Sequence, residues 1–347
     1  MATSSALATG SRDTPALLAV DGGASKTDVW LVGADGTVLG AARGEGSNHQ
    51  FSGMDGALDA LGATIDAALV ASDRSPDTRP AALTGVYCLA GVDLPVDLER
   101  LAPAIAARGW SNVDLLHNDT MPVLRAGAQS GWGVGVVCGS GLNCVGLGRD
   151  GTVVRFPSLA ELSGDFAAGG SWLGVRALGL ALRSRDGRGG PTVLATAVPA
   201  QFGLPDPESV LTAVYTGSLE YGRLFELAKV CLDAAAKGDD AAAGAVGFLA
   251  EEIVAMGAAT VERLGATDEP IEIVLGGGLF DSEHSVLRDA VEEGVRRVAS
   301  KARFRRLDGP PVLGAALLGL DTSGADARTA VRLRESAPTA NSEALPF

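Results

Sequence analysis

The chain has 347 residues, enough for about two domains, and 46% apolar against 20% charged residues supply material for two buried cores. Its 42 acidic and 28 basic residues leave a net charge of -14, which argues against nucleic acid or an anionic membrane as partner. That balance does not exclude a nucleotide, because backbone dipoles and Mg²⁺, rather than net charge, hold phosphates.

The first 14 residues are rich in Ser, Thr and Ala and lack the basic start and apolar stretch of a signal peptide, so residues 1–15 read as a disordered tail. No window approaches about 18 continuous apolar residues free of charge or turn formers, and no membrane span is expected. Cys88, Cys138, Cys144 and Cys231 fall mostly in apolar runs without Cys-x-x-Cys spacing, as core thiols in a reducing cytoplasm would.

In chain order, the apolar run from Leu17 to Val20 predicts a buried strand that ends at Asp21 and turns through Gly22, Gly23, Ala24, Ser25, Lys26 and Thr27. The backbone N–H groups of such a turn form a nest for phosphate oxygens, and a carboxylate at the strand end can hold Mg²⁺ through water. An ordinary hairpin fits the same residues. The spacing matches neither Gly-x-x-x-x-Gly-Lys-Ser/Thr nor a Gly-x-Gly-x-x-Gly that opens a helix. Strands follow at 28–32 and 37–42, and Phe51, Met54, Leu58, Leu61, Ile65 and Leu69 form one helical stripe. A strand at 82–90, a helix at 95–108, a strand at 113–116 running into His117-Asn118-Asp119 and a helix at 120–129 complete the order β-β-β-α-β-α-β-α. Three antiparallel strands feeding two crossovers make a mixed sheet.

The same grammar restarts near Gly131, with strands at 134–138, 143–148 and 153–156 and the turn Gly139-Ser140-Gly141. Two copies of one unit, each with a small-residue turn at the same strand end, can grip a polyphosphate from both sides of a cleft. Residues 171–265 read as mostly helical, with an exposed loop at 183–190. The strand at 271–275 ends in Gly276-Gly277-Gly278, which either lets a flat ligand such as a purine approach the backbone or simply turns the chain into a helix. A helix at 286–298, an edge strand at 304–307 and a helix at 311–320 precede a disordered tail, 322–347.

Asp21-Gly-Gly-Ala-Ser-Lys-Thr, Gly46-Ser-Asn-His, Asn118-Asp119, Cys138-Gly-Ser-Gly-Leu-Asn, Gly164-Asp165 with Gly169-Gly170-Ser171, Leu275-Gly-Gly-Gly and Pro311-Val-Leu-Gly-Ala-Ala resemble, in that order, the motifs of the N-acetylglucosamine kinase and BadF-type ATPase family. That family belongs to the sugar kinase, heat-shock and actin superfamily. The resemblance implies an α/β chain of two ribonuclease-H-like (actin-like ATPase) domains, at 16–130 and 131–321, the second with a helical insertion, whose mixed sheets flank a nucleotide cleft. It implies ATP and Mg²⁺ as cofactors, an amino-sugar substrate, a cytoplasmic homodimer, and neither nucleic acid nor membrane as partner.

Carried over residue by residue, the resemblance makes Asp21 the Mg²⁺-associated carboxylate and Gly22, Gly23, Ser25, Lys26 and Thr27 the first phosphate loop. Gly139, Ser140 and Gly141 resemble the second, and Gly276, Gly277 and Gly278 the adenosine contact. Asn48, Asn118, Asp119, Asn143 and Asp165 resemble sugar ligands, with Asp119 the base that accepts the proton of the attacking hydroxyl. Taken without the resemblance, Asp119 reads first as a helix N-cap. The Gly-Trp-Gly segment of acetyl-sugar kinases is replaced here by a stretch carrying Glu161, which would suit a protonated amine or simply be a solvated loop charge. The reading is therefore a kinase making glucosamine 6-phosphate, with an N-acetylglucosamine kinase as the alternative. Outside the kinases, an ATPase activator of a dehydratase lacks the expected cysteine arrangement, and a repressor-like sugar sensor lacks a basic N-terminal helix-turn-helix.

Overall fold

The computed structural model describes residues 14–307 and 309–338. They divide into two compact units, one built from the chain up to Gly127 and from Leu307 onward, the other from Ala128 to Arg306.

Unit one opens with β1 (Leu17–Gly22), β2 (Thr27–Val32) and β3 (Val38–Gly44), followed by α1 (His49–Ala71), β4 (Ala82–Leu89), α2 (Pro95–Ala106), β5 (Ser111–Asn118) and α3 (Thr120–Gly127). The five-stranded sheet has the order β3-β2-β1-β4-β5. β1 pairs antiparallel with β2 and parallel with β4, so it is central and buried on both faces, which explains its unbroken apolar run. Leu18, Val20, Val29 and Leu31 pack on Leu58, Leu61, Ile65 and Leu69 of α1 and on Leu101 and Ile105 of α2.

The expected stripe on α1 holds from Met54 onward, but Phe51 is 79% exposed. Gly53, at φ 71° and ψ 171°, interrupts the helix and turns its first residues off the apolar line.

Unit two contains β6 (Gly133–Cys138), β7 (Leu142–Leu147), β8 (Val153–Arg155), α4 (Gly170–Asp186), α5 (Leu194–Gln201), α6 (Pro207–Tyr215), α7 (Leu227–Ala236), α8 (Asp240–Arg263), β9 (Glu272–Gly276), α9 (Val286–Arg296) and β10 (Arg303–Arg306). Its sheet, β10-β9-β6-β7-β8, has the same order and strand senses as the first. The repeat legible in the sequence is thus a repeat of topology. Residues 183–186, expected in a loop, form the last turn of α4. By length and composition α8 could cross a membrane, yet Val246, Leu249, Ile253 and Val261 lie in the core of this unit.

The chain then returns to unit one with α10 (Pro311–Ser323) and α11 (Ala327–Ser336). α10 covers the second face of the first sheet, where Val312, Ala316, Leu317 and Leu320 pack on Leu17, Ala19, Trp30 and Val86. Arg125 of α3 holds Asp321 through two bonds of 2.6 and 2.9 Å. This corrects the expected second domain at 131–321: it ends near Arg306, and its last helix belongs to unit one. The expected tail is corrected too. Asp326 caps α11 by accepting from Thr329 N at 2.9 Å, Leu333 is buried, and the Ser336 hydroxyl donates to Gly36 O at 3.2 Å. Its polar composition looked like disorder because one buried leucine and one cap are enough to dock a helix this short. Residues 1–13 and 339–347 of the expected tails lie outside the described residues.

Candidate active site

In unit one the strand register lines up Arg43, Asp28, Asp21, Cys88 and His117 in one row across the sheet. Asp21 ends β1. Burial pushes its carboxyl up from 3.8 to about 8, and the charges of Asp119 and then Asp28 push the same way, while Lys26 and Arg43 pull it down. Asp28 is buried and accepts from Arg43 through both oxygens, at 2.7 and 3.0 Å, with Lys26 Nζ 3.3 Å away. Cys88 is buried beside these carboxylates, and its thiol is pushed well up by burial and then by Asp21 and Asp119. Among the expected residues, Asp21, Lys26 and Asp119 are therefore drawn into one electrostatic cluster.

A polar rim lies in the same unit. Asn48 caps α1, accepting from Gln50 N at 2.8 Å. The Asn118 carboxamide oxygen accepts from Thr120 N at 3.0 Å and Thr120 Oγ1 at 2.6 Å, and its nitrogen donates to Asp93 at 3.0 Å. Asn118 thus forms a turn that leads into α3. Gln50 donates to the other Asp93 oxygen at 3.4 Å, and His49 Nε2 lies 3.4 Å from Asp97. Sequence reasoning missed Asp28, Arg43 and Gln50 and left Asp93 undecided. The one available signal was a carboxylate at the start of an otherwise apolar strand.

In unit two the turn Gly139-Ser140-Gly141 closes through Gly139 N to Gly141 O at 3.0 Å, and its carbonyls accept from Gly170 N at 2.8 Å and Ser171 N at 2.9 Å at the start of α4. Ser140 and Gly141 are exposed, and their N–H groups make none of these bonds. A Cβ added to Gly139, Gly141 or Gly278 would meet no protein atom, and none of the three has positive φ, so protein packing does not require glycine there. Open space of that kind suits a ligand's close approach. Gly276, by contrast, is buried as the last residue of β9, and Gly277, at φ 97°, has Cys138 O 2.5 Å from where a Cβ would sit. Of the expected adenosine triplet, Gly278 alone is exposed.

Asn143 accepts from Ser158 Oγ at 2.7 Å, Ser163 Oγ donates to the buried Asp165, and Glu161 stands exposed on a short 3₁₀ turn, Ala160–Ser163. Ser158 and Ala160 have φ of 50° and 53°, so this loop carries backbone strain at two residues with side chains.

The donors fit Mg²⁺ in the manner of phosphate-bound magnesium. No group of three or more His, Cys, Asp or Glu side chains able to hold a metal occurs among the described residues, so an ion at Asp21 would take its remaining ligands from phosphate oxygens and water. The crowding of Asp21, Asp28 and Asp119 is what a divalent cation would relieve.

Three comparisons fit this architecture. The chain is 24% identical over 313 residues to the N-acetyl-D-glucosamine kinase of Dictyostelium discoideum, covering 88% of this chain and 98% of that one. It is 25% identical over 266 residues to the N-acetylmuramic acid/N-acetylglucosamine kinase of Clostridium acetobutylicum, covering 77% and 86%. The solved structure of a candidate N-acetylglucosamine kinase from Chromobacterium violaceum superposes with a TM-score of 0.70 at 27% identity, covering 88% of this chain and 99% of that one. The model of the BadF/BadG/BcrA/BcrD ATPase family matches residues 18–319, and the chain belongs to that family.

Proposed function

We propose that this chain is an ATP-dependent amino-sugar kinase that transfers the γ-phosphate to the 6-hydroxyl of a glucosamine-type sugar, releasing ADP. The observation that carries the reading is the placing of two carboxylates at strand ends of one sheet, Asp21 near the end of β1 and Asp119 directly after β5, where burial and then the Asp119 charge push the Asp21 carboxyl up. Asp119 is the base in this reading. It takes the hydroxyl proton as the sugar oxygen forms its bond to the γ-phosphorus and the bridging oxygen leaves with ADP. Asp21 would hold Mg²⁺, whose contribution is to neutralise charge on the phosphates. The exposed turn at 139–141 and the turn at 22–27 supply backbone donors of the phosphate-binding kind.

N-acetylglucosamine is the acceptor that the names of both curated relatives share, the second also naming N-acetylmuramic acid, and it is the first reading for this chain. D-glucosamine is a second reading, because exposed Glu161 shares a loop with Ser158, which bonds Asn143, and with buried Asp165. ADP release measured with ATP and Mg²⁺ across N-acetylglucosamine, glucosamine, glucose and mannosamine tests both. Highest kcat/KM with the acetylated sugar is the expected result, a preference for glucosamine selects the second reading, and no turnover with any sugar overturns the kinase.

A further inference from the structure

Within the first phosphate turn, Gly23 N donates to Lys26 O at 2.8 Å, so the backbone of Lys26 is fixed and only its side chain can choose a partner. The nearest partner is Asp28 Oδ2, at 3.3 Å. The Asp28 side chain is only 5% exposed and sits between Asp21 on β1 and Arg43 on β3. A carboxylate this buried demands a cation. With Lys26 alone available, it would take that ammonium as its full counterion and withdraw it from the turn. Arg43 changes this by occupying both oxygens with its planar fork, at 2.7 and 3.0 Å. Lys26, 46% exposed, is left with one longer contact at the rim, of the weak surface type.

We propose that Arg43 is a positioning residue for the phosphate turn: by neutralising Asp28 it leaves the Lys26 ammonium available to a polyphosphate. The inference rests on the kinase reading and adds to it a residue outside the turn that governs nucleotide affinity through Asp28.

The test is calorimetric titration with the non-hydrolysable ATP analogue AMPPNP and Mg²⁺, which needs no sugar. Arg43→Ala should weaken binding about tenfold, the size of one lost charge-assisted hydrogen bond, and Arg43→Lys should fall between it and the wild type. In an Asp28→Asn background the same Arg43→Ala change should cost less than about twofold, because the charge it served is gone. The Asp28→Asn/Arg43→Ala pair leaves no lone buried carboxylate, so this arm stands even if Arg43→Ala alone fails to fold. Equal losses in both backgrounds would mean that Arg43 acts on the nucleotide directly or through Asp21 rather than through Asp28 and would overturn the proposal, as would unchanged affinity in Arg43→Ala or Arg43→Lys. A wild-type protein that binds no AMPPNP overturns the kinase reading and this inference together. A wrong sugar assignment touches neither result.

Discussion

The β1–β2 turn of unit one and the β6–β7 turn of unit two occupy the same place in sheets of the same order, yet their chemistry differs. In the strand registers, where unit one pairs Asp21 with Asp28, unit two pairs Val137 with Asn143. Beside them on the parallel strand, Cys88 in one unit stands where Gly276 stands in the other. The glycines differ as well. A Cβ on Gly22 would strike the Ser47 hydroxyl and come within 2.7 Å of Leu89, whereas Gly139 and Gly141 face open space. One copy has gathered charge at the strand end, and the other has stayed neutral and presents bare backbone. A duplicated scaffold can therefore keep its geometry while dividing its chemistry.

The largest effect that would sharpen this contrast is at Asp119. Asp119→Asn should lower kcat by roughly a thousandfold with little change in thermal stability, the signature of a lost base. Near-normal turnover would remove the charged copy's claim to the chemistry.

Asp21→Asn should also abolish turnover while making the nucleotide-free protein more stable at pH 8. The sign follows from the raised pKa: between 3.8 and about 8 the folded state binds more protons at Asp21 than the unfolded chain does. The contribution of Asp21 is thus whole below 3.8 and is lost as pH rises towards about 8. Melting curves across that window should show the gain in Tm of the Asn variant shrinking as pH falls.

A smaller effect separates the two turns themselves. Gly22→Ala should destabilise the fold by about 1–3 kcal/mol through overpacking. Gly139→Ala should leave stability within about 0.5 kcal/mol while weakening AMPPNP binding severalfold. Denaturant unfolding and the same titration distinguish them. The smallest effect is at Glu161, where Glu161→Gln should change kcat/KM for N-acetylglucosamine by less than about twofold, as expected of an exposed side chain. A selective loss with glucosamine would instead favour the free-amine reading.

The two-copy sheet was legible in the sequence because apolar runs and Asp-Gly or Gly-Gly turns punctuate it at matching intervals. Asp21 and the two small-residue turns stood out for the same reason. The Arg43–Asp28 pair did not, since it depends on cross-strand register, which a single sequence does not display. The turn that Asn118 makes into α3 was hidden because Asn and Asp are equally favoured by type at such positions. α11 was missed because only Leu333 is buried along it, a signal too sparse for periodicity.

The return of α10 to the first sheet has a consequence for synthesis on the ribosome. Leu17, Ala19, Trp30 and Val86 are translated early, but the residues that cover them, Val312 to Leu320, emerge only after all of unit two. At ordinary elongation rates that face waits on the order of ten seconds or more for its cover. Unit two can complete its own core as it leaves the tunnel, whereas unit one, though first out, finishes last. A nascent chain stopped before Pro311 would present a naked apolar sheet face, the kind of surface that chaperones hold and that aggregates without them.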